Sequence, residues 1–168
     1  MSECVSAEPP HPPSTDTLEY RSATLDDLAA VQRMLRPYVV ARKLLKRTRN
    51  EMVGLLANAF VAELSSTREL PRIVGFCAVE IYSRKLAEIQ CLAVDPTLHG
   101  RGIGSELVRL CVQRARERGV LEVMAISASE NMFRTLGFDY SLPDQKRALF
   151  FQLKSREEMY LELSDDEE

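Results

Sequence analysis

A chain of 168 residues, 45% hydrophobic and 28% charged, suits one soluble globular domain with room for a proper core. The four acids Asp165–Glu168 more than account for the net charge of −3, so the remainder has no cationic footprint of the kind that nucleic acid requires. No apolar run approaches the roughly 20 residues of a membrane span, and the N-terminus lacks the apolar core of a signal peptide, so a cytoplasmic protein is expected.

Residues 1–17 hold Pro9, Pro10, Pro12 and Pro13 among small polar residues and predict a disordered tail. Leu18–Ala23 reads as a first strand. Thr24 then caps a helix, with Asp27 three residues on and Leu28, Val31 and Leu35 as its apolar face. Pro37 is expected to end that helix. Arg42–Arg49 carries five positive charges in eight residues. A second helix follows through Met52, Leu55 and Leu56 to about Asn58. Ala59–Leu64 is a strand and Ser65–Pro71 a polar turn. Ile73–Tyr82 and Leu86–Val94 form an antiparallel pair.

Asp95-Pro96 stops the last of these strands, because proline cannot continue a ladder. His99-Gly-Arg-Gly-Ile-Gly104 follows, and then Ile103, Leu107, Leu110, Cys111 and Ala115 recur at helical spacing. Strand, glycine turn and helix together offer an anion site, since the first turn of a helix has unpaired N–H groups and glycines let a ligand approach them. Two phosphate motifs fail. The P-loop needs Lys-Ser/Thr after its last glycine, and Gly104 is followed by Ser105-Glu106. The dinucleotide fingerprint needs a third glycine where Leu107 or Ser105 stands. What remains is Gln/Arg-x-x-Gly-x-Gly/Ala with His99 in first place, which resembles the pyrophosphate loop of the GNAT superfamily of N-acetyltransferases. By itself it also reads as a plain turn.

The helix after the turn is expected to end at Gly119. Val120–Ile126 is the next strand, Ser129–Leu136 a short helix, Pro143–Phe150 another, and Glu158–Leu163 a final strand. This is the order of elements in the acetyltransferases, and Phe133-Arg-Thr-Leu-Gly-Phe138 resembles their second motif. The resemblance covers about Leu18–Leu163. It implies an α/β (α+β) GNAT fold: a mixed, mostly antiparallel central sheet with a splayed parallel strand pair, flanked by helices. The domain would occupy 18–163, with an acidic tail at 164–168. It implies acetyl-CoA as cosubstrate, with pantetheine between the splayed strands on main-chain groups of Leu92, Val94 and Cys91. His99, Gly100, Arg101, Gly102, Ile103, Gly104 and Ser105 would hold the pyrophosphate, and Phe133 would touch the coenzyme. No metal is implied: the only histidines are His11 and His99, and Cys4, Cys77, Cys91 and Cys111 lack ligand spacing.

Three segments resemble bacterial N-acetylglutamate synthases in order and spacing: Glu88-Ile-Gln-Cys-Leu-Ala-Val-Asp-Pro96, Leu44-Leu-Lys-Arg-Thr-Arg49, and Leu142-Pro143 with Lys146 and Ala148-Leu-Phe150. The resemblance implies acetyl transfer to the α-amino group of L-glutamate, the first step of arginine synthesis. There are departures. This chain has no arginine-sensing kinase domain, so it would resemble the short, free-standing form. Ala128 stands where the family has an arginine, and the family's C-terminal arginine and serine align with Lys154 and either Ser155 or Arg156.

Acyl transfer to an amine needs a base to remove a proton and donors for the carbonyl oxygen. Glu88, opening a mostly apolar strand, is the expected base, though the position alone would also suit a rim carboxylate. Many family members place a tyrosine acid where Phe133 stands. That role would pass to Ser155 or Ser127, or the thiolate would leave unaided. Cys91 as acyl nucleophile is disfavoured, with no histidine nearby in sequence to lower its pKa. Arg47, Lys146 and Lys154 are the expected acceptor contacts, since arginine holds a carboxylate through two parallel bonds. Most of the basic run would simply be solvated; Arg109 and Arg114, like Arg101, could touch coenzyme phosphates, though helix-surface arginines are usually just solvated. The alternatives are another small amine, a protein N-terminus, or a non-catalytic acetyl-CoA sensor. The partners expected are acetyl-CoA and an amino acid, with no nucleic acid and no membrane. A homodimer is left open.

Overall fold

The computed structural model describes residues 16–66, 70–127 and 129–139. The expected helix Pro143–Phe150 and strand Glu158–Leu163 lie outside these, as do Lys146, Lys154, Ser155 and Ala128. The described elements are β1 (Thr17–Ser22), α1 (Leu28–Val40), α2 (Arg49–Leu56), β2 (Ala59–Ser65), β3 (Arg72–Ile81), β4 (Leu86–Val94), α3 (Ile103–Glu117), β5 (Glu122–Ala125) and α4 (Glu130–Thr135). Thr17 already belongs to β1, one residue into the expected tail.

The five strands lie side by side in chain order. The first three pairings are antiparallel, and β4 with β5 is parallel. Alternation sends Val61, Phe76, Ala78 and Ala93 to one face, against Leu28, Val31 and Leu35 of α1 and Met52 and Leu55 of α2. It sends Cys77, Val79, Ala87 and Ile89 to the other, against Ile103, Leu107, Val108 and Cys111 of α3. The sheet is thus covered on both sides. A Cβ built on Gly75 would lie 2.9 Å from Leu107 Cδ1 and 3.1 Å from Ile103 Cγ2, so a bare backbone there lets α3 close onto β3.

The Thr24 cap forms as expected, with one 3-10 turn before α1. Asp27 Oδ2 accepts from Thr24 N at 2.7 Å and Thr24 Oγ1 at 3.0 Å. Arg21 adds both guanidinium nitrogens to Asp27 at 2.8 Å and reaches Glu63 at 2.6 Å, which ties the helix start to β1 and β2. The Arg21 hydrogen bond comes first among the causes that hold the Asp27 carboxyl down to about 2 from 3.8. A depressed carboxylate stabilises the fold above its ordinary range and loses that contribution as pH falls from about 4 towards 2. Asp27→Ala is expected to cost about 2–4 kcal/mol by urea unfolding at neutral pH, from a lost cap and a broken, partly buried pair. The gap to the parent should close as both are acidified through that window.

Pro37 does not end α1, which continues through it to Val40. A helical proline leaves the carbonyl four residues back without its N–H partner. Here that residue is Arg33, and both it and Pro37 lie on the exposed face, where solvent can take the bond. Val31 and Leu35 on the opposite face are buried and hold the helix on the sheet. The continuation carries Tyr38 over the edge of β4.

The parallel pairing of β4 with β5 runs only from Leu86↔Glu122 to Ile89↔Ala125. β5 is shorter than the expected Val120–Ile126, and β4 continues to Val94 on β3 without β5 beside it, so the expected splayed pair is present. Beyond Ile89 the strand also bulges. Cys91 and Leu92 together face the single residue Cys77, and Cys91 has φ 55, a left-handed conformation that a non-glycine residue adopts at a cost of about 1–3 kcal/mol.

The closing motif of α4 has a local cause. Gly137 at φ 90 donates its N–H to Arg134 O at 3.0 Å, and Phe138 N donates to Phe133 O at 3.1 Å. That is a Schellman ending, and its usual apolar contact is the edge-on packing of the Phe133 and Phe138 rings, 5.1 Å between centroids.

Candidate active site

Where β4 leaves β5, a cleft of about 490 Å³ opens between the strand, the glycine turn and α4. Its wall includes Leu92, Val94, His99, Gly100, Gly102, Ile103, Gly104 and Ser105, so eight of the residues expected on the coenzyme are brought together. The turn is pinned by Asp95. Its Oδ1 accepts from Thr97 N at 2.9 Å and Thr97 Oγ1 at 2.7 Å, and its Oδ2 accepts from Arg72 at 2.6 Å. These bonds, those of Thr97 first, hold its carboxyl at about 2. Gly102, the cap residue of α3, has φ 79 and no side chain to bond the N–H groups behind it. The first turn of a 15-residue helix therefore meets the cleft with its donors and its positive dipole end.

Other expected residues stand elsewhere. Arg101 is exposed and does not line the cleft. Phe133 is 6% exposed and packs in the core with α3, while its neighbours Met132 and Ser129 form the wall. Cys91 packs with the α1–α2 cluster. Burial pushes its thiol up, against a smaller downward pull from Arg47, which is the wrong direction for a nucleophilic thiolate. Arg114 bonds Ala57 O and Ser22 Oγ, both at 3.1 Å, and lies 4.8 Å over the Phe60 ring, so it straps α3 to the sheet. Arg109 pairs with Glu106 on its own helix.

Tyr38 is a wall residue that no sequence pattern singled out. The Asp95 N–H turns towards β3 and bonds Val74 O at 2.7 Å, so by alternation the Val94 carbonyl turns into the cleft. The Tyr38 hydroxyl donates to that carbonyl, and His99 Nε2 lies 2.8 Å from it and 3.0 Å from the Tyr38 oxygen. Burial raises the Tyr38 hydroxyl's pKa, with Asp95 adding to it, so it stays a donor.

Glu88 lies on the α1–α2 side of β4, since its neighbours Ala87 and Ile89 point to α3. It is 8% exposed and accepts from the Tyr82 hydroxyl at 2.5 Å. Arg47 arrives on the same side from the loop between α1 and α2. Leu44 anchors that loop in the core, and Thr48, immediately after Arg47, caps α2 in a reciprocal box with Glu51. Arg47 donates to Gln90 Oε1 at 2.6 Å, and no carboxylate among the described residues lies within ion-pair distance of it. Arg42, Lys43 and Arg49 of the basic run are exposed. β4 thus separates a cleft suited to a phosphate-bearing ligand from a buried carboxylate with an arginine beside it.

The family model of the acetyltransferase (GNAT) family matches residues 29–138. An uncharacterised N-acetyltransferase of Chlorobaculum tepidum is 32% identical over 126 residues, covering 75% of this chain and 77% of that protein. An amino-acid acetyltransferase of Ralstonia nicotianae is 30% identical over 140 residues, covering 79% of this chain but 30% of its own length. Among solved structures, a Mycobacterium tuberculosis protein in complex with CoA aligns with a TM-score of 0.64 at 22% identity, over 89% of this chain and 83% of that one. The N-acetylglutamate synthase of Neisseria gonorrhoeae, complexed with coenzyme A and N-acetyl-glutamate, aligns at 0.61 and 22% identity, over 71% and 27%. The family match runs from the start of α1 to the Phe133–Phe138 closure, the part of the chain that builds both sides of β4, and this chain belongs to the acetyltransferase (GNAT) family.

Proposed function

We propose that this protein transfers the acetyl group of acetyl-CoA to the α-amino group of an amino acid, with L-glutamate the favoured acceptor, as in the first step of arginine synthesis. The single observation that carries the acceptor reading is Arg47 standing over β4, on the side of the buried Glu88, with no carboxylate among the described residues within ion-pair distance of it. The amino-acid acetyltransferase relatives support it from outside the chain.

In this reading the first turn of α3 and the glycines before it hold the pyrophosphate, and main-chain groups of Leu92 and Val94 hold the pantetheine arm. Arg47 holds a carboxylate of the acceptor. Glu88 takes the proton from the ammonium, directly or through a water, so that the amine can attack the thioester carbon. Phe133 is in the core and is not a proton donor, so the thiolate leaves unaided or takes a proton from a group such as Ser155.

The coenzyme half is tested at the turn. Gly102 has a left-handed φ that strains any side chain, and a Cβ on Gly104 would lie 3.6 Å from Val94 Cγ2 and 3.7 Å from Met132 Sδ, inside the cleft. Gly102→Val and Gly104→Leu should each abolish binding of coenzyme A in titration calorimetry. Retained micromolar affinity in both would remove the coenzyme site from this turn. The acceptor half is tested by steady-state turnover with glutamate, glutamine, other amino acids and a peptide N-terminus. Glutamate should have the highest kcat/KM, and equal use of glutamate and glutamine would overturn the assignment.

A further inference from the structure

Arg47 and Glu88 are the two ends of an unbroken line of hydrogen bonds. Arg47 Nη2 donates to Gln90 Oε1 at 2.6 Å, Gln90 Nε2 donates to the Tyr82 hydroxyl at 3.3 Å, and that hydroxyl donates to Glu88 Oε2 at 2.5 Å. Every donor points from the cation towards the carboxylate, so each bond polarises the next.

Tyr82 follows the last residue of β3, where its N–H bonds Leu86 O at 3.1 Å and begins the turn into β4. It is 51% exposed, so core packing does not hold the ring against β4. Its hydroxyl touches three polar side chains: Glu88, Gln90 and, at 3.5 Å, Glu80. Burial first, and the Glu88 carboxylate next, push its ionisation up to about 12, so it remains a donor at any pH suited to an assay. The charged groups around this line are Glu80 on β3, Arg47 on the loop and Glu51 on α2, while the partner of Glu88 across β5 is the uncharged Met124.

We propose that Tyr82 is the positioning residue of Glu88, and that Gln90 links it to Arg47, so that the acceptor-binding cation and the base are held as one unit. This rests on the reading of Glu88 as the base. The Tyr82 bond occupies Oε2 and restricts the rotation of the carboxylate, which leaves Oε1 for the acceptor's ammonium group. Gln90 serves because an amide has one accepting and one donating end, one for each neighbour.

The test is Tyr82→Phe, which keeps the ring and removes only the hydroxyl. Loss of a hydrogen bond to a charged group should lower kcat roughly 10- to 100-fold and leave the KM for acetyl-CoA within about twofold, with the protein still folded at the assay temperature and its melting temperature lowered by the lost bond to Glu88. A residue that acts through Glu88 has nothing further to lose once Glu88 is gone, so Tyr82→Phe combined with Glu88→Gln should be no slower than Glu88→Gln alone. Gln90→Leu should raise the KM for glutamate and lower kcat less than Tyr82→Phe does. If Glu88→Gln is slow but Tyr82→Phe turns over like the parent, or the two losses multiply, the positioning role is overturned and the base stands. If Glu88→Gln itself is as fast as the parent, the base reading fails and this inference falls with it.

Discussion

Glu88→Gln should bind coenzyme A like the parent and turn over roughly 10²- to 10⁴-fold more slowly, the range lost when a general base is removed. The substitution is close to isosteric. A glutamine oxygen can still accept from Tyr82, but an amide cannot take a proton from an ammonium group. Coenzyme affinity should hold because Glu88 is not in the wall of the cleft.

Stability separates this from a structural role. Glu88 is a buried carboxylate directly opposite Glu80 across β3 and β4, and no cation among the described residues lies within ion-pair distance of it. A buried charge without an ion partner, facing a like charge, is a cost to the fold. Removing the charge should therefore leave the melting temperature unchanged or raise it, while activity falls. A carboxylate kept at the expense of stability is the trade expected of a functional group. Unchanged turnover from about pH 6 to 9, or a clear loss of stability without loss of turnover, would show Glu88 to be structural.

Arg47→Ala should raise the KM for glutamate steeply and leave that for acetyl-CoA nearly untouched. An arginine lost from a desolvated, hydrogen-bonded charge pair costs roughly 2–5 kcal/mol, much of it the penalty of leaving the partner carboxylate unpaired, and this corresponds to roughly 30- to 5,000-fold in kcat/KM. Glutamine lacks the side-chain charge and should be the poorer substrate of the parent. If Arg47 holds that side chain, the preference for glutamate over glutamine should collapse in Arg47→Ala. If it holds the α-carboxylate, both substrates should suffer equally. Unaltered glutamate kinetics would leave the acetyltransferase without this acceptor contact. A lysine replacement should restore little, because a point charge does not reproduce the planar two-bond grip of a guanidinium.

What the chain's local chemistry determined is visible wherever one turn or one strand decides the outcome. Leu86–Val94 is a strand with the expected bounds because Asp95-Pro96 ends it. The Thr24 cap, the glycine turn into α3 and the Gly137 ending of α4 each depend on residues within about five positions of one another, so sequence spacing is enough to read them. The eight residues that the family resemblance put on a coenzyme line one cleft because they are nearly contiguous in the chain and in space.

Tertiary packing decided the rest. Pro37 stayed inside α1 because buried Val31 and Leu35 outweigh a lost bond on an exposed face, and that kept Tyr38 over the cleft. Phe133 went into the core because the Schellman ending pairs it with Phe138, while the adjacent Met132 took the wall. The bulge at Cys91 depends on a mismatch between β3 and β4, which only their pairing creates. The line from Arg47 to Glu88 joins residues 41 positions apart through Gln90 and Tyr82, each unremarked in its own segment. A sequence shows which residues can donate and accept. Only the folded sheet, by bringing a loop, a strand end and a strand middle within about 3 Å, makes them a chain of bonds.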